Sequence, residues 1–175
     1  MKRAIFLDRD GVINRKPPEG QYIVRWQDMQ FLPGVAEAIR LLTKAGFCVL
    51  AVSNQRCVAK GLLTAAELET IHTRMCNELA AAGAVISKVY YCPHDKEPPC
   101  ACRKPAPGML LTAAREHKID LLASWMIGDK DIDIEAGRNA GCRTARIADD
   151  ELENNTADIW APSLLDAIHQ ILRMN

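Results

Sequence analysis

Two periodicities of hydrophobic residues alternate along the chain. Short, mostly apolar runs bounded by charged or turn-forming residues are typical of strands buried on both faces of a sheet. Between them lie longer segments in which apolar residues recur every third or fourth position, a pattern that predicts helices with one buried face. The runs predict strands at residues 4–7, 47–52, 85–91, 124–127 and 143–148, with a sixth edge segment at 158–160.

The helical segments carry recognisable start and stop signals. The first predicted helix opens at Pro33-Gly34 and ends at Gly46, a residue type that favours helix C-termini. The second spans residues 64–82 and begins with Thr64, followed three residues later by Glu67, which is the pattern of a capping box. Further helices are predicted at 107–117, 132–140 and 163–172.

Strands that alternate with helices predict an α/β fold with a central parallel sheet covered by helices on both faces. We therefore expect one Rossmann-like, three-layer α/β/α domain over residues 1–175, a length that suits a single domain. Apolar residues make up 49% of the chain, which is enough for a large core. Open sheets of this kind bind ligands at the carboxyl ends of their strands.

Polar side chains follow three of the predicted strands. Asp8 and Asp10 come after the first strand, Ser53 after the second, and Asp129 after the fourth. The carboxyl ends of parallel strands meet at one edge of the sheet, so these side chains are expected to converge. The sequence therefore predicts a polar site at this edge.

The charge balance narrows the class of partner. The chain has 22 basic and 22 acidic residues, and a formal net charge of zero argues against bulk attraction to nucleic acid or anionic lipid. No apolar run approaches the roughly 20 residues that a membrane span requires, and no secretory signal is visible at the start of the sequence. We expect a cytoplasmic protein that does not bind nucleic acid or membranes, and a monomer is the simplest expectation.

Asp8 and Asp10 form a D-x-D-G segment with Gly11. Side chains alternate along extended backbone, so the two carboxylates are expected to point the same way and to require a cation or a shared proton. Magnesium prefers such oxygen ligands, one carboxylate can attack phosphorus, and its neighbour can transfer protons. For these two residues taken alone, a turn or a helix cap is an equally good interpretation.

Four segments in order extend this pattern. Residues 8–14 resemble the first motif of the haloacid dehalogenase superfamily phosphatases, and Ser53-Asn54 resembles the second. Arg103-Lys104-Pro105 resembles the third motif, and residues 128–133 resemble the fourth. The four segments together span most of the chain, and four motifs in order are far more specific than one.

The resemblance implies a catalytic site built on magnesium. Asp8 is the implied nucleophile, and Asp10 is the implied acid/base, whose backbone carbonyl also binds the metal. Asp8 and Asp129 complete the implied Mg²⁺ ligands. Asp133, one helical turn after Asp129, is a candidate for binding the metal through water or for orienting a ligand. Asp131 is more typical of a helix N-terminus.

The resemblance also implies residues that contact the substrate. Ser53 binds a phosphoryl oxygen through its hydroxyl, and Asn54 lies beside it. Lys104 neutralises charge on the transferring group, which carries that charge on three oxygens. Arg103 and Lys130 are the candidate substrate-binding cations.

The segment from 92 to 102 has the composition of a zinc loop. Cys92 and His94 form a C-x-H arm, and Cys100 and Cys102 form a C-x-C arm five residues later. Three thiolates and one imidazole make a closed tetrahedral site, which is typical of structural Zn²⁺. We expect zinc to fix this loop so that Arg103 and the residue after it face the substrate.

The other cysteines have a different setting. Cys48, Cys76 and Cys142 lie among apolar residues and are interpreted as small core side chains. Cys57 lies in a loop near the predicted site, where a core role is favoured over a reactive thiol. No disulfide is expected in a cytosolic chain.

The zinc loop and its flanks narrow the resemblance. The runs Tyr91-Cys92-Pro93-His94 and Cys102-Arg103-Lys104-Pro105 closely resemble the D-glycero-D-manno-heptose 1,7-bisphosphate 7-phosphatases. The family is capless, and the sequence has no room for a large cap between the first strand and the second motif. The resemblance implies a phosphorylated sugar substrate that loses its 7-phosphate through an aspartyl phosphate, with Arg103 contacting the substrate.

Two alternatives stay open at this stage. The histidinol-phosphate phosphatases share much of the same loop, and a non-catalytic zinc module that binds phosphorylated ligands belongs to another functional class. The sequence also departs from the heptose family at two loops that contact the sugar there: Arg56-Cys57 after the second motif, and the longer loop at residues 15–22. Both departures bear on the substrate and leave the catalytic motifs unchanged.

Overall fold

The computed structural model describes residues 1–150 and 155–174. Six strands lie in these residues: β1 (Ala4–Leu7), β2 (Cys48–Asn54), β3 (Lys88–Cys92), β4 (Trp125–Gly128), β5 (Arg143–Ile147) and β6 (Ile159–Ala161). They form one parallel sheet in the order β3-β2-β1-β4-β5-β6. The chain reverses its direction of winding at β1, and this switch point is where ligands bind in open α/β sheets.

Five α-helices connect or follow the strands: α1 (Val35–Lys44), α2 (Ala65–Ala81), α3 (Gly108–His117), α4 (Asp131–Ala140) and α5 (Leu164–Arg173). Helices α1, α2 and α5 pack in one hydrophobic cluster, and buried residues of α3 and α4 lie in a second cluster with the opposite face of the sheet. None of the described helices has the length and apolar character needed to cross a bilayer.

Strand β1 shows how the sequence divides between the two faces. All four of its side chains are buried, with Ile5 and Leu7 in the first cluster and Ala4 and Phe6 in the second. The alternation follows from the two-residue period of a strand, and a central strand covered on both faces must be apolar throughout. The predicted three-layer α/β architecture with a parallel sheet is therefore confirmed.

Some predicted boundaries were wrong. The second strand extends two residues further than predicted, because Ser53 and Asn54 pair with Tyr91 and Cys92 of β3. The third strand begins at Lys88, where its pairing with β2 starts, and the predicted start at Val85 is half exposed. Ser53 and Asn54 are therefore held by the sheet itself, as its last two positions on β2.

The remaining predictions of elements agree with the structure to within one or two residues. Thr64 caps α2 with the predicted capping box, since its side chain accepts from the Glu67 backbone and its backbone N–H donates to the Glu67 carboxylate. Strand β6 confirms the predicted edge segment. A short 3-10 helix at Trp26–Asp28 was not predicted.

Candidate active site

A buried lysine lies at the centre of the polar site at the carboxyl edge of the sheet. The Nζ atom of Lys104 is 2.7 Å from Asp8 at the end of β1 and 2.7 Å from Asp133 on α4. It also donates to the backbone carbonyl of Val52 at 2.8 Å. The ammonium is 1% exposed; it donates hydrogen bonds to Asp8 and Val52 and forms an ion pair with Asp133. Lys104, whose role the resemblance to the third motif implied, therefore contacts Asp8 directly.

The second motif holds the Lys104 backbone in place. The side chain of Asn54 donates to the Lys104 carbonyl at 3.0 Å and accepts from the Lys104 N–H at 3.0 Å. This reciprocal pair joins the end of β2 to the segment that follows the cysteine loop. In the described structure Asn54 therefore contacts the third motif, and we assign it to positioning Lys104.

Three carboxylates form a compact group beside Lys104. Asp8, Asp129 and Asp133 each place one oxygen within 4.8 Å of the others. The Oδ1 atom of Asp129 is buried and has no hydrogen-bond partner in the described residues. A buried carboxylate oxygen without a donor is costly unless a cation completes it. The donor set of hard oxygens and the unpartnered atom fit Mg²⁺.

Gly11 lets the first motif approach this group. Its φ angle is +98°, and a Cβ atom at this position would lie 2.6 Å from the Asp129 carboxylate. Any side chain here would push Asp129 away from Asp8. The glycine of the D-x-D-G segment is therefore required by two conditions at once, a left-handed backbone and a close contact.

A lysine outside the motifs also reaches the group. The Nζ atom of Lys16 is 2.7 Å from Asp129 Oδ2, and the lysine side chain is 47% exposed. It comes from the 15–22 loop, where the sequence departs from the heptose phosphatases. The lysine side of this ion pair is open to solvent, whereas the Asp129 side chain is 11% exposed.

Hydrogen bonds from three side chains hold the Asp10 carboxylate. The Asp10 carboxylate accepts from Arg9 at 2.9–3.2 Å, from Asn14 at 2.9 Å and from Gln55 at 3.2 Å, and it is not part of the three-carboxylate group. The backbone leaves the extended conformation after Asp8, because the Arg9 carbonyl accepts from the N–H groups of Ile13 and Asn14. Strand alternation therefore does not continue to Asp10.

Ser53 is linked to Asp10 through Gln55. The Gln55 side-chain amide donates to Ser53 Oγ at 2.7 Å as well as to Asp10, and Ser53 is 1% exposed. The predicted phosphate ligand and the predicted acid/base thus share one neighbour. Gln55 was not singled out in the sequence, although it directly follows the second motif.

The pKa values of Asp8 and Asp10 are shifted in opposite directions. Burial raises the pKa of Asp8 to about 6, although the charge of Lys104 lowers it. Burial also acts to raise the pKa of Asp10, but Arg9 and the hydrogen bond from Asn14 more than offset it and hold that pKa below its usual value. Burial acts to lower the pKa of Lys104, yet Asp133 and Asp8 reverse this, so the lysine stays charged.

The predicted zinc ligands form a second group. Cys92, His94, Cys100 and Cys102 place their donor atoms within 4.8 Å of one another, with nearest distances of 3.2–3.5 Å. The edges of a tetrahedral zinc site with these ligands are about 3.5–3.8 Å long. The donor chemistry and the spacing both fit Zn²⁺.

The loop that carries these ligands is tied to the active-site edge. Cys92 is the last residue of β3, and its carbonyl accepts from the Gln55 backbone at 2.8 Å. Arg103 donates to the His94 carbonyl at 3.1 Å and is half-buried. Lys130 is exposed at the N-terminus of α4, where its backbone N–H donates to Asp133 at 3.1 Å.

The remaining cysteines are free thiols outside the cluster. Cys57 and Cys142 are buried, and Cys48 and Cys76 are half-buried. Cys57 is fully buried, and burial raises the pKa of its thiol, which favours a core role. Its sulfur lies 3.5 Å from the Gln55 carbonyl oxygen.

A histidine that the sequence analysis did not consider contacts the first motif. The Nε2 atom of His72 on α2 is 3.1 Å from Nη1 of Arg9, and His72 is 2% exposed. Burial, and then the Arg9 charge, lower the pKa of His72 to about 3. His72 lies on the buried face of α2 with Leu68 and Met75, so helical periodicity signals its burial but not its partner.

The depressed pKa of His72 predicts a pH dependence of stability. Between pH 6.5 and about 3 the unfolded chain protonates His72 and the native protein does not, so the free energy of unfolding falls as the pH is lowered. Between pH 6.5 and 5 the wild type should lose roughly 1.5 kcal/mol more than His72→Gln in urea unfolding. His169→Gln, at an exposed histidine, should keep the wild-type dependence. Equal pH slopes in the wild type and His72→Gln contradict the assignment.

The fold and the site together define a phosphatase of the haloacid dehalogenase-like class. The HAD-hydrolase-like family model matches residues 101–167 of the chain. A D-glycero-D-manno-heptose-1,7-bisphosphate 7-phosphatase of Thermosynechococcus vestitus is 46% identical in an alignment that covers 79% of this chain and 75% of that protein. The chain belongs to the D-glycero-D-manno-heptose-1,7-bisphosphate 7-phosphatase family.

Two further proteins support the family assignment. The D-glycero-beta-D-manno-heptose-1,7-bisphosphate 7-phosphatase of Escherichia coli K12 is 39% identical in an alignment that covers 93% of this chain and 90% of that protein. The crystal structure of the D,D-heptose 1,7-bisphosphate phosphatase of B. bronchiseptica, complexed with magnesium and phosphate, superposes with a TM-score of 0.88 at 32% identity. That match covers 99% of both chains.

Proposed function

We propose that this chain removes the 7-phosphate of D-glycero-D-manno-heptose 1,7-bisphosphate. The observation that carries the proposal is the match to relatives named for this reaction, at 46% and 39% identity. The similarity extends over at least three quarters of each of these relatives. The charged groups that the site brings together suit a phosphoryl group, which is positioned and stabilised mainly by electrostatics.

Asp8 is the proposed nucleophile. One of its oxygens attacks phosphorus to form an aspartyl phosphate while the sugar oxygen leaves, and water then attacks the phosphorus and frees Asp8. Lys104 stabilises the charge on the transferring group and favours the ionised form of Asp8 against the effect of burial. Ser53 and Arg103 are the proposed phosphate and substrate contacts, and the exposed Lys130 adds a cation at the mouth.

Asp10 is the proposed acid/base. Its lowered pKa makes it ionised in the resting protein. The approach of an anionic phosphate ester raises the proton affinity of a neighbouring carboxylate, so Asp10 can take up the proton that the leaving oxygen needs. After the sugar has left, the same carboxylate can accept a proton from the attacking water.

Mg²⁺ is the proposed catalytic cofactor and Zn²⁺ the proposed structural one. Asp8, Asp129 and the backbone carbonyl of Asp10 are the proposed magnesium ligands, with Asp133 orienting Lys104 beside them. Bound Mg²⁺ supplies Lewis-acid stabilisation of the phosphoryl oxygens. Zn²⁺ would be held by Cys92, His94, Cys100 and Cys102 and would fix the loop.

A substrate comparison tests the proposed function. Purified protein with Mg²⁺ is given heptose 1,7-bisphosphate, heptose 1-phosphate or histidinol phosphate, and phosphate release is measured. We expect the highest kcat/KM on the bisphosphate, with ³¹P NMR showing that the 1-phosphate remains. A higher kcat/KM on histidinol phosphate, or loss of the 1-phosphate, contradicts the proposal.

Removing zinc tests the role of the cysteine loop. A zinc-selective chelator, used with Mg²⁺ in excess, should lower both the melting temperature and kcat, because the loop positions Arg103 and Lys104. A loss of about 3 kcal/mol corresponds to roughly 6–12 °C for a chain of this size. Cys102→Ser should also lower the melting temperature and kcat. Cys76→Ser, at a half-buried thiol outside the cluster, should lower neither. Unchanged melting and activity after confirmed zinc loss contradict this role.

The proposal also covers the domain organisation, oligomeric state, location and partners of the enzyme. It acts as one catalytic domain over residues 1–175, as a monomer in the cytoplasm, with a phosphorylated sugar as its partner and without nucleic acid or membrane. The zero formal net charge supports the exclusion of polyanionic partners. Sedimentation of the purified protein tests the monomer, since a dimer doubles the measured mass.

A further inference from the structure

Arg9 is a fully buried cation beside the proposed acid/base. Its guanidinium is 0% exposed, and its Nε and Nη2 atoms donate to the Asp10 carboxylate at 2.9–3.2 Å. A buried guanidinium requires both a counter-charge and acceptors for its remaining N–H groups. Asp10 supplies the charge on one side. The acceptor on the other side is His72, whose Nε2 atom is 3.1 Å from Nη1.

The chemistry of this contact fixes the state of His72. Arginine can only donate, so Nε2 must accept and the ring proton must sit on Nδ1. A second proton would place an imidazolium against the Arg9 guanidinium. Tyr91 packs on the ring with centroids 5.4 Å apart, which keeps the imidazole in place. The histidine is therefore a fixed, neutral acceptor.

Burying His72 at this position lowers the stability of the protein, so a stabilising role does not explain why a histidine lies here. The Nδ1 atom of His72 is buried and has no hydrogen-bond partner in the described part of the chain. A buried donor left unsatisfied lowers stability, because its hydrogen bond to water is lost and not replaced. An apolar side chain at this position of α2 avoids that cost but leaves Nη1 of Arg9 without its acceptor. The functional atom of His72 is therefore Nε2, which accepts from Arg9 and holds the guanidinium in place.

We infer that His72 is a positioning residue for Asp10, acting through Arg9. Asn14 and Gln55 donate to the Asp10 carboxylate, and Arg9 contacts both of its oxygens. Without His72, the Arg9 side chain keeps hydrogen bonds only to Asp10 among the described residues, so the guanidinium positions the Asp10 carboxylate less firmly. Misplacement of a catalytic group by about 1 Å can cost roughly 10²-fold in rate. The inference rests on the proposed function, because it takes Asp10 as the acid/base.

Two substitutions separate positioning from mere packing. His72→Leu removes the acceptor, whereas His72→Gln keeps an oxygen near the position of Nε2. We expect His72→Leu to lower kcat roughly 10- to 100-fold with KM within about twofold, since His72 contacts none of the proposed substrate ligands. His72→Gln should recover kcat to within about threefold of wild type. His117→Leu is the matched control, because His117 also has an unpartnered ring nitrogen but packs on Tyr90, away from the site.

The results for these variants test the positioning role of His72 separately from the proposed phosphatase function. Wild-type kcat in His72→Leu, or equal losses in His72→Leu and His72→Gln at matched melting temperatures, overturns the positioning role while the wild-type reaction stands. If the wild type releases no phosphate from the bisphosphate, the proposed function fails instead. If His72→Leu melts below the assay temperature, His72→Phe provides the same loss of an acceptor with a ring that fills the site.

Discussion

Asp8→Asn should lower kcat by at least about 10⁴, because an amide cannot form the aspartyl phosphate, and single catalytic groups in covalent mechanisms carry effects of this size. The change is nearly isosteric and removes a charge that burial disfavours, as the raised pKa of Asp8 shows. The melting temperature should therefore stay at or above that of the wild type. Initial rates with saturating substrate and Mg²⁺, together with a thermal melt, check both statements.

A matched control separates the chemistry from general effects of the substitution. Asp149→Asn makes the same change at an exposed position and should keep the wild-type rate. The nucleophile is elsewhere if Asp8→Asn retains more than about 1% of the wild-type kcat. A folded but inactive Asp8→Asn, beside an active Asp149→Asn, supports the assignment.

We expect Lys104→Met to lower both kcat and the free energy of unfolding. The substitution leaves Asp8 and Asp133 buried at a site where one ammonium contacts both at 2.7 Å. Removing one partner of a buried ion pair typically costs about 3–5 kcal/mol, because the other charge stays buried and unpaired. Without the lysine, the pKa of Asp8 should rise further, so less of the nucleophile is ionised at neutral pH. We expect kcat to fall roughly 10³-fold or more, by the standard of other charge-stabilising groups.

The physical cause of this loss can be tested with a second substitution. Asp133→Asn in the Lys104→Met background removes one unpaired charge and should recover part of the lost free energy of unfolding, but not the activity. Lys44→Met, at an exposed lysine on α1, should change neither. Wild-type stability in Lys104→Met under urea, or no recovery in the double variant, shows that the buried pair does not act as described.

Pattern alone predicted where the site lies. The apolar runs marked the strands, and parallel strands bring their carboxyl ends to one edge, so the convergence of Asp8 and Asp129 followed from topology. Lys104 could not be placed that way, because it lies in a loop with no periodicity. Its role came from the resemblance of Arg103-Lys104-Pro105 to a motif, and the observed contact with Asp8 agrees with that role.

Contacts between polar side chains that lie far apart in the sequence could not be predicted from its patterns. His72 is 63 residues from Arg9, and helical periodicity placed it on a buried face without indicating which group it meets. Lys16 reaches Asp129 from an irregular loop, which carries no pattern to read. Strand β1 ends at Leu7, so the strand period does not fix the orientation of the Asp10 carboxylate. A local turn, invisible to periodicity, decides the position of that carboxylate.

Trapping the phosphorylated residue shows directly whether Asp8 is the nucleophile. Enzyme turning over saturating bisphosphate with Mg²⁺ is quenched in acid, reduced with borohydride and digested for peptide mass spectrometry. An aspartyl phosphate at Asp8 is reduced to homoserine, so we expect homoserine at position 8 in the wild type and none without substrate. Homoserine at another aspartate, or none despite rapid phosphate release and intact trapping chemistry in a control phosphatase, contradicts it.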